Sequence, residues 1–201
     1  MRVLFAAPED AWDGFLDHLR AHCPEFEFEA AGTYQTESLA GYDVLLPTMT
    51  KVTAQLLATG DRLRLIQQVG AGLEGVDMDA ARRLGIPVAN VPTGDSGNAD
   101  SVAELGIYMM IGLSRHYRAL AHNLSQQRLG APFGQALKGK TAGIVGLGGI
   151  GQALIQRLRP FGMEIIGLKR REPEQARQRL GLAWVGSLGD LPEFLGRSDY
   201  V

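Results

Sequence analysis

Short apolar runs alternate with amphipathic segments along the first hundred residues. "RVLFAA" precedes "DAWDGFLDHLRAH"; "FEFEAA" comes next; "DVLLPTM" precedes "KVTAQLLATG"; "LRLIQQV" precedes "DMDAARRLG"; and "IPVANV" closes the series. Runs of four to eight residues rich in Val, Ile and Leu predict strands buried on both faces, and the segments between them predict crossover helices. The pattern therefore predicts a small parallel α/β unit over residues 1–99.

A different kind of element follows. "DSVAELGIYMMIGLSRHYRALAHNL" predicts one long helix over residues 100–124, opening on Ser101 and Glu104 at capping-box spacing. Its first half is apolar through Ile107, Tyr108, Met109, Met110, Ile111 and Leu113, which predicts burial on several sides, as for a helix between two domains. The competing reading is a core helix of a single domain. After the polar connection "SQQRLGAPFGQALKGK" a second α/β alternation begins: "TAGIVG" as strand, "GIGQALIQRLRPFG" as helix, "MEIIGLK" as strand, "REPEQARQRLG" as helix, "LAWVG" as strand, "DLPEFLGRSD" as helix and "DYV" as the start of a strand. A second unit is expected over residues 100–201.

Composition narrows the function classes. With 45% apolar and 21% charged residues in 201, the chain is ordinary for a globular protein. A net charge of −2 and the lack of a basic stripe interleaved with aromatics argue against a nucleic-acid partner. Cys23 is the single cysteine, so neither a disulfide framework nor cysteine metal-ligand spacing is expected, and no metal site is assigned. No signal segment or membrane-length apolar run is read, so the expected location is the cytoplasm, with no membrane partner. The 26 glycines, nearly twice the usual share, gather in short clusters suited to tight turns and close ligand approach.

One such cluster has a defined chemistry. Gly146, Gly148 and Gly151 form G-x-G-x-x-G between a predicted strand and a predicted helix, followed by a second strand. The first glycine permits the turn, the second admits a pyrophosphate against the backbone, and the third lets helix and strand pack closely. The helix N-terminus offers free N–H groups to the phosphates. This predicts a dinucleotide site. An NAD site usually has an acid at the end of the second strand, but Glu164 comes too early, and Lys169, Arg170 and Arg171 occupy the end itself. Cations there would pair with a 2′-phosphate, so NADP is the preferred cofactor and NAD the alternative. A solvated basic turn before a helix is the competing explanation.

The segments "QQVGAGLEGVDMDAARRLGIPVANVPTGDSGNADSVAELG" and "LKGKTAGIVGLGGIGQALIQRLRPFG" closely resemble the D-isomer-specific 2-hydroxyacid dehydrogenases, the group that includes phosphoglycerate dehydrogenase and the glyoxylate/hydroxypyruvate reductases. The resemblance covers nearly the whole chain. It implies an α/β protein with a flavodoxin-like parallel-sheet substrate domain followed by the first half of a Rossmann NAD(P)-binding domain. It implies a small 2-oxo or 2-hydroxy acid substrate in the cleft between them, and a homodimer built through the nucleotide-binding domain and its long helix. By the same resemblance, Val69, Gly70, Ala71 and Gly72 present backbone amides to the substrate carboxylate. Ser101 and Val102 match positions at the nicotinamide end, and Gly149 and Ile150 match backbone contacts to the pyrophosphate. Thr48 and Met49 are expected on a loop facing the cleft.

The family's catalytic Arg, and its His paired with a Glu, match no residue of this sequence; the segments that carry them are expected beyond Val201, together with a return segment of the substrate domain. His18, His22, His116, His122 and Arg115 lie outside those motifs, and capping accounts for Glu104. The expectation is thus the N-terminal part of an oxidoreductase, inactive by itself towards glyoxylate and hydroxypyruvate. The alternative is a non-catalytic dinucleotide-binding regulator of the same fold.

Overall fold

A computed structural model of the chain describes residues 1–94 and 96–201; Asp95, in the "PTGDSGN" stretch of the first segment that carries the resemblance, lies outside the described residues. The chain divides into two compact units, Met1–Pro92 and Thr93–Val201. The division falls before the turn that leads into the predicted long helix rather than at 99/100. Thr93 belongs with the second unit because its carbonyl accepts the Ala99 N–H and its side chain lies against Gly149.

The first unit alternates strand and helix: β1 (Arg2–Phe5), α1 (Ala11–His22), β2 (Glu27–Ala30), β3 (Val44–Leu46), α2 (Ala54–Leu57), β4 (Leu65–Gln67), α3 (Met78–Arg83) and β5 (Val88–Ala89). All five strands are parallel in the order β2-β1-β3-β4-β5, the flavodoxin-like order. Successive side chains of a strand point to opposite faces, so β1 feeds two cores. Val3 and Phe5 pack with Leu16 and Leu46 on one side, and Leu4 and Ala6 with Leu45, Leu57 and Ile66 on the other. β2 departs from the expected double burial. It is the edge strand, and Glu27 and Glu29 face solvent, Glu29 paired with Arg2 at 2.8 Å. Its alternation of Glu and apolar residues is the pattern of a half-exposed strand.

One buried charge anchors the middle of this sheet. Asp43, just before β3, accepts the Arg2 N–H at 2.8 Å and the Arg62 guanidinium at 2.7, 2.9 and 3.0 Å. The backbone hydrogen bond from Arg2, and then those from Arg62, hold its carboxyl below the usual carboxylate range.

The second unit contains α4 (Asn98–Ser114), α5 (Tyr117–Ser125), β6 (Thr141–Val145), α6 (Gly149–Leu158), β7 (Glu164–Leu168), α7 (Pro173–Leu180), β8 (Trp184–Gly186) and α8 (Leu191–Arg197). Strands β6, β7 and β8 are parallel and adjacent in that order, and Tyr200 bridges to Ala142 on the opposite side of β6. The Thr141 N–H reaches the Asp199 carboxylate at 2.8 Å, which lowers its pKa and seats the Tyr200 segment beside β6. The strand order thus reverses at β6, the arrangement of a Rossmann half at its switch point. Among the described residues, no helix is long and apolar enough to cross a membrane.

The expected single helix over residues 100–124 is two helices. Asn98 begins the first after Gly97, whose φ of 72° is left-handed, and His116 breaks the path with φ 51° before Tyr117 starts the second. Because the helix starts ahead of Ser101, the predicted capping box does not form: α4 has no side-chain cap. Asp100 and Glu104 instead reach Arg157 on α6, at 2.8 and 3.5 Å. Nor is α4 buried on several sides. Ala99 and Ala103 pack closely on Ala153 and Leu154, whereas Tyr108, Met109 and Leu113 are 61%, 55% and 69% exposed.

Candidate functional site

Two glycine turns, one in each unit, hold most of the sequence-predicted site residues; Ser101 and Val102 lie on α4, and Lys169, Arg170 and Arg171 follow β7. In the second unit, β6 ends at Val145 and the chain turns through Gly146, Leu147 and Gly148 into α6. Gly146 has φ 92°, a conformation that side chains disfavour. A Cβ on Gly151 would drive into the Gly146 carbonyl oxygen, so only glycine lets α6 start this close to the turn. A Cβ on Gly148 would meet open space. The three glycines therefore differ in local role: one permits the turn, one leaves a vacant approach to backbone, and one permits helix–turn contact.

Donors face that approach. α6 is capped by Gly148, which offers no side chain, and among the described residues the N–H groups of Gly149, Ile150 and Gly151 have no protein acceptor. Free first-turn amides and the positive end of the helix dipole favour an anion. The turn is tied to the next strand by the Gly146 N–H, which donates to the Leu168 carbonyl at 3.0 Å. That bond sets the end of β7, and hence Lys169, beside the glycine turn. Arg170 and Arg171 follow, both exposed, and among the described residues none of these three cations is in an ion pair. Glu164 lies at the other end of β7, in register with Thr141. The residues present thus fit a dinucleotide: an open backbone cradle, unused amides, and cations where an acid would repel an extra phosphate.

Ser101 and Val102 lie near the start of α4, both exposed. The helix start adjoins the start of α6, since a Cβ on Gly149 would touch Thr93 and approach Ala99.

In the first unit, residues Val69 to Gly72 leave the carboxyl end of β4. Their carbonyls are engaged from the β5 segment: the Val91 N–H donates to Gly70 at 3.1 Å and the Asn90 side-chain amide to Ala71 at 2.6 Å. The Val69 N–H is taken by the Gln68 side chain at 2.9 Å. Among the described residues the N–H groups of Gly70, Ala71 and Gly72 have no protein acceptor. Fixed carbonyls and unused amides suit an anion.

Three neighbours of this loop carried no functional signal in the sequence. Trp12 and Glu74 share a hollow of ≈ 480 Å³ with it, and Asn90 braces its backbone. Trp12 lies within a predicted helix, but the structure places Trp12, Asp13 and Gly14 in left-handed backbone. The Asp13-Gly14 pair is a turn signal that helical periodicity masked. Thr48 lines the same hollow, whereas Met49 is 71% exposed and outside its wall. Among the described residues no group of His, Cys, Asp and Glu is arranged to hold a metal ion.

The sequence model described as "D-isomer specific 2-hydroxyacid dehydrogenase, catalytic domain" matches residues 3–185. Hydroxypyruvate reductase of Thermotoga maritima is 38% identical over 135 residues, 66% of this chain and 43% of that protein. D-3-phosphoglycerate dehydrogenase of Methanocaldococcus jannaschii is 33% identical over 168 residues, 82% of this chain and 31% of that protein. The chain thus spans less than half the length of these curated relatives. The apo structure of D-lactate dehydrogenase from Escherichia coli superposes with a TM-score of 0.69 at 26% identity, covering 99% of this chain and 63% of that one.

Proposed function

Since the chain belongs to the D-isomer specific 2-hydroxyacid dehydrogenase family, we propose that it is part of an oxidoreductase that interconverts a small 2-hydroxy acid and its 2-oxo acid with a nicotinamide dinucleotide. The observation that carries this reading is the division of labour among Gly146, Gly148 and Gly151, which leaves a backbone approach open beside unused amides. Gly148, Gly149, Ile150 and Gly151 hold the pyrophosphate, with Ser101 and Val102 towards the nicotinamide end. The bound cofactor supplies or accepts the hydride at the substrate's C2. Gly70, Ala71 and Gly72 donate their N–H groups to the substrate carboxylate, with Val69 leading into the turn, and so orient the C2 carbonyl.

Lys169, Arg170 and Arg171 make NADP the preferred cofactor over NAD, because a 2′-phosphate gains charge-assisted hydrogen bonds where a carboxylate would repel it. Fluorescence titration of residues 1–201 tests this: NADPH is expected to bind more tightly than NADH, and tighter NADH binding rejects the preference.

Catalysis also needs a cation to polarise the C2 carbonyl and an acid that protonates the C2 oxygen as hydride arrives, or in the reverse direction a base that takes the C2 hydroxyl proton as hydride leaves. Among the described residues, those lining the hollow at Gly70–Gly72 include neither Arg nor His. We therefore assign no catalytic residue and expect residues 1–201 alone to oxidise no NADPH with glyoxylate or hydroxypyruvate. Enzyme-dependent turnover would reverse that assignment. The single Cys23 suits a reducing cytoplasm, and the exposed apolar stripe of α4 suits a homodimer.

A further inference from the structure

The hollow of the first unit lies where its strand order reverses. β1 has β2 on one side and β3 on the other, and ligands of open parallel sheets bind outside the carboxyl ends of strands at such a point. The connection after β1 contributes Trp12, the one after β3 contributes Thr48, and the one after β4 contributes the Gly70–Gly72 loop. Two of these residues have unfavourable backbone. Trp12 has φ 55° and Thr48 has φ 54°, and such conformations persist only where the surroundings hold them.

Those surroundings are specific. The Trp12 ring lies edge-on to Phe5 and Phe15, at centroid distances of 5.9 and 5.7 Å, yet is 45% exposed. Thr48 donates its hydroxyl to the Ala6 carbonyl at 2.5 Å, and its own carbonyl accepts the Gln68 side-chain amide at 3.3 Å. Because Gln68 also accepts the Val69 N–H, both ends of its side chain are used, and it braces the loop rather than offering a ligand group. The charged residue in the wall is Glu74, folded over Gly72 and, among the described residues, in no ion pair. Among the described residues, no Lys or Arg lines the hollow.

Resting on the carboxylate-loop reading above, we infer that Trp12 and Glu74 select the substrate by its C3 substituent. They accept an uncharged, unphosphorylated side chain and reject a phosphorylated one. The indole gives an apolar wall for the C3 carbon. The Glu74 carboxylate accepts a hydrogen bond from a C3 hydroxyl. Folded over Gly72, it repels any anion in the hollow; the loop amides offset this for a single carboxylate, but no cation among the described lining residues offsets it for an added phosphate dianion.

The test uses D-glycerate and D-3-phosphoglycerate, which differ by one phosphoryl group, titrated into ¹⁵N-labelled residues 1–201. Glycerate is expected to shift the amides of Gly70 and Gly72 and the Trp12 indole N–H, with phosphoglycerate binding about tenfold more weakly. Glu74→Lys, at an exposed position, is expected to remove or invert that ratio, and Glu74→Gln to reduce it. Equal or tighter binding of phosphoglycerate by the unaltered chain overturns the inference, as does an unchanged ratio in Glu74→Lys. Loop shifts without an indole shift overturn the role of Trp12. If glycerate moves no loop amide, the carboxylate-loop reading falls and the inference with it.

Discussion

Gly151 lies so close to the carbonyl oxygen of Gly146 that no side chain fits between the first turn of α6 and the turn that precedes it. Between them stands Gly148, where a Cβ would meet open space. The two positions therefore separate packing from ligand approach. Gly151→Ala is expected to destabilise the second unit by about 1–3 kcal/mol through overpacking. Gly148→Ala is expected to leave the thermal midpoint nearly unchanged while weakening NADPH binding by about tenfold or more. Thermal unfolding and cofactor titration of both variants check this, and a Gly148→Ala chain that binds NADPH normally rejects the cradle.

The Gly146–Leu168 hydrogen bond brings the cationic end of β7 to the same turn. Replacing Arg170 and Arg171 by Ala is expected to weaken NADPH by about tenfold and NADH by less than about twofold. Added salt should likewise erode NADPH affinity faster than NADH affinity. Equal losses for both cofactors would reduce the triplet to a solvated basic turn.

Asp43 supplies a pH-dependent contribution in the first unit. Its folded-state pKa is lowered by the Arg2 N–H and then by Arg62, so the native state binds the proton less readily than the unfolded chain. The resulting stability is full above the unfolded value, near 3.8, and is lost as pH falls through the lower folded value. Asp43→Asn is expected to lower stability at neutral pH and to flatten the decline below about pH 4. Urea unfolding at several pH values tests it; parallel curves for the two chains would contradict it.

Leu105, Tyr108, Met109 and Leu113 are exposed at spacings that form a stripe along α4. If that stripe is the homodimer contact, Met109→Glu combined with Leu113→Glu should raise the dissociation constant by about tenfold or more without loss of helix content. Sedimentation velocity and circular dichroism provide the readouts, and an unaltered assembly state removes α4 from the contact.

Much of the candidate site was legible because its parts are local. The strand, the three glycines and the following helix lie within one short segment, and each glycine answers a requirement of its own backbone. The basic triplet was legible for the same reason: Lys169, Arg170 and Arg171 follow directly on β7. The α4 start was misread because Ser101 and Glu104 have capping spacing, while Gly97, with its left-handed φ, provides the actual boundary. The break at His116 had no proline or glycine to announce it.

By itself the sequence determined the alternation of parallel strands and helices, the nucleotide-type turn and its sign of charge, since periodicity, backbone freedom and charge belong to individual residues and short spacings. Only the tertiary structure decided that Trp12, Thr48 and Glu74 surround the Gly70–Gly72 loop, and that the apolar face of α4 is exposed. Those relationships depend on strand order and on contacts between segments far apart in the chain, for which no local pattern of residues can substitute.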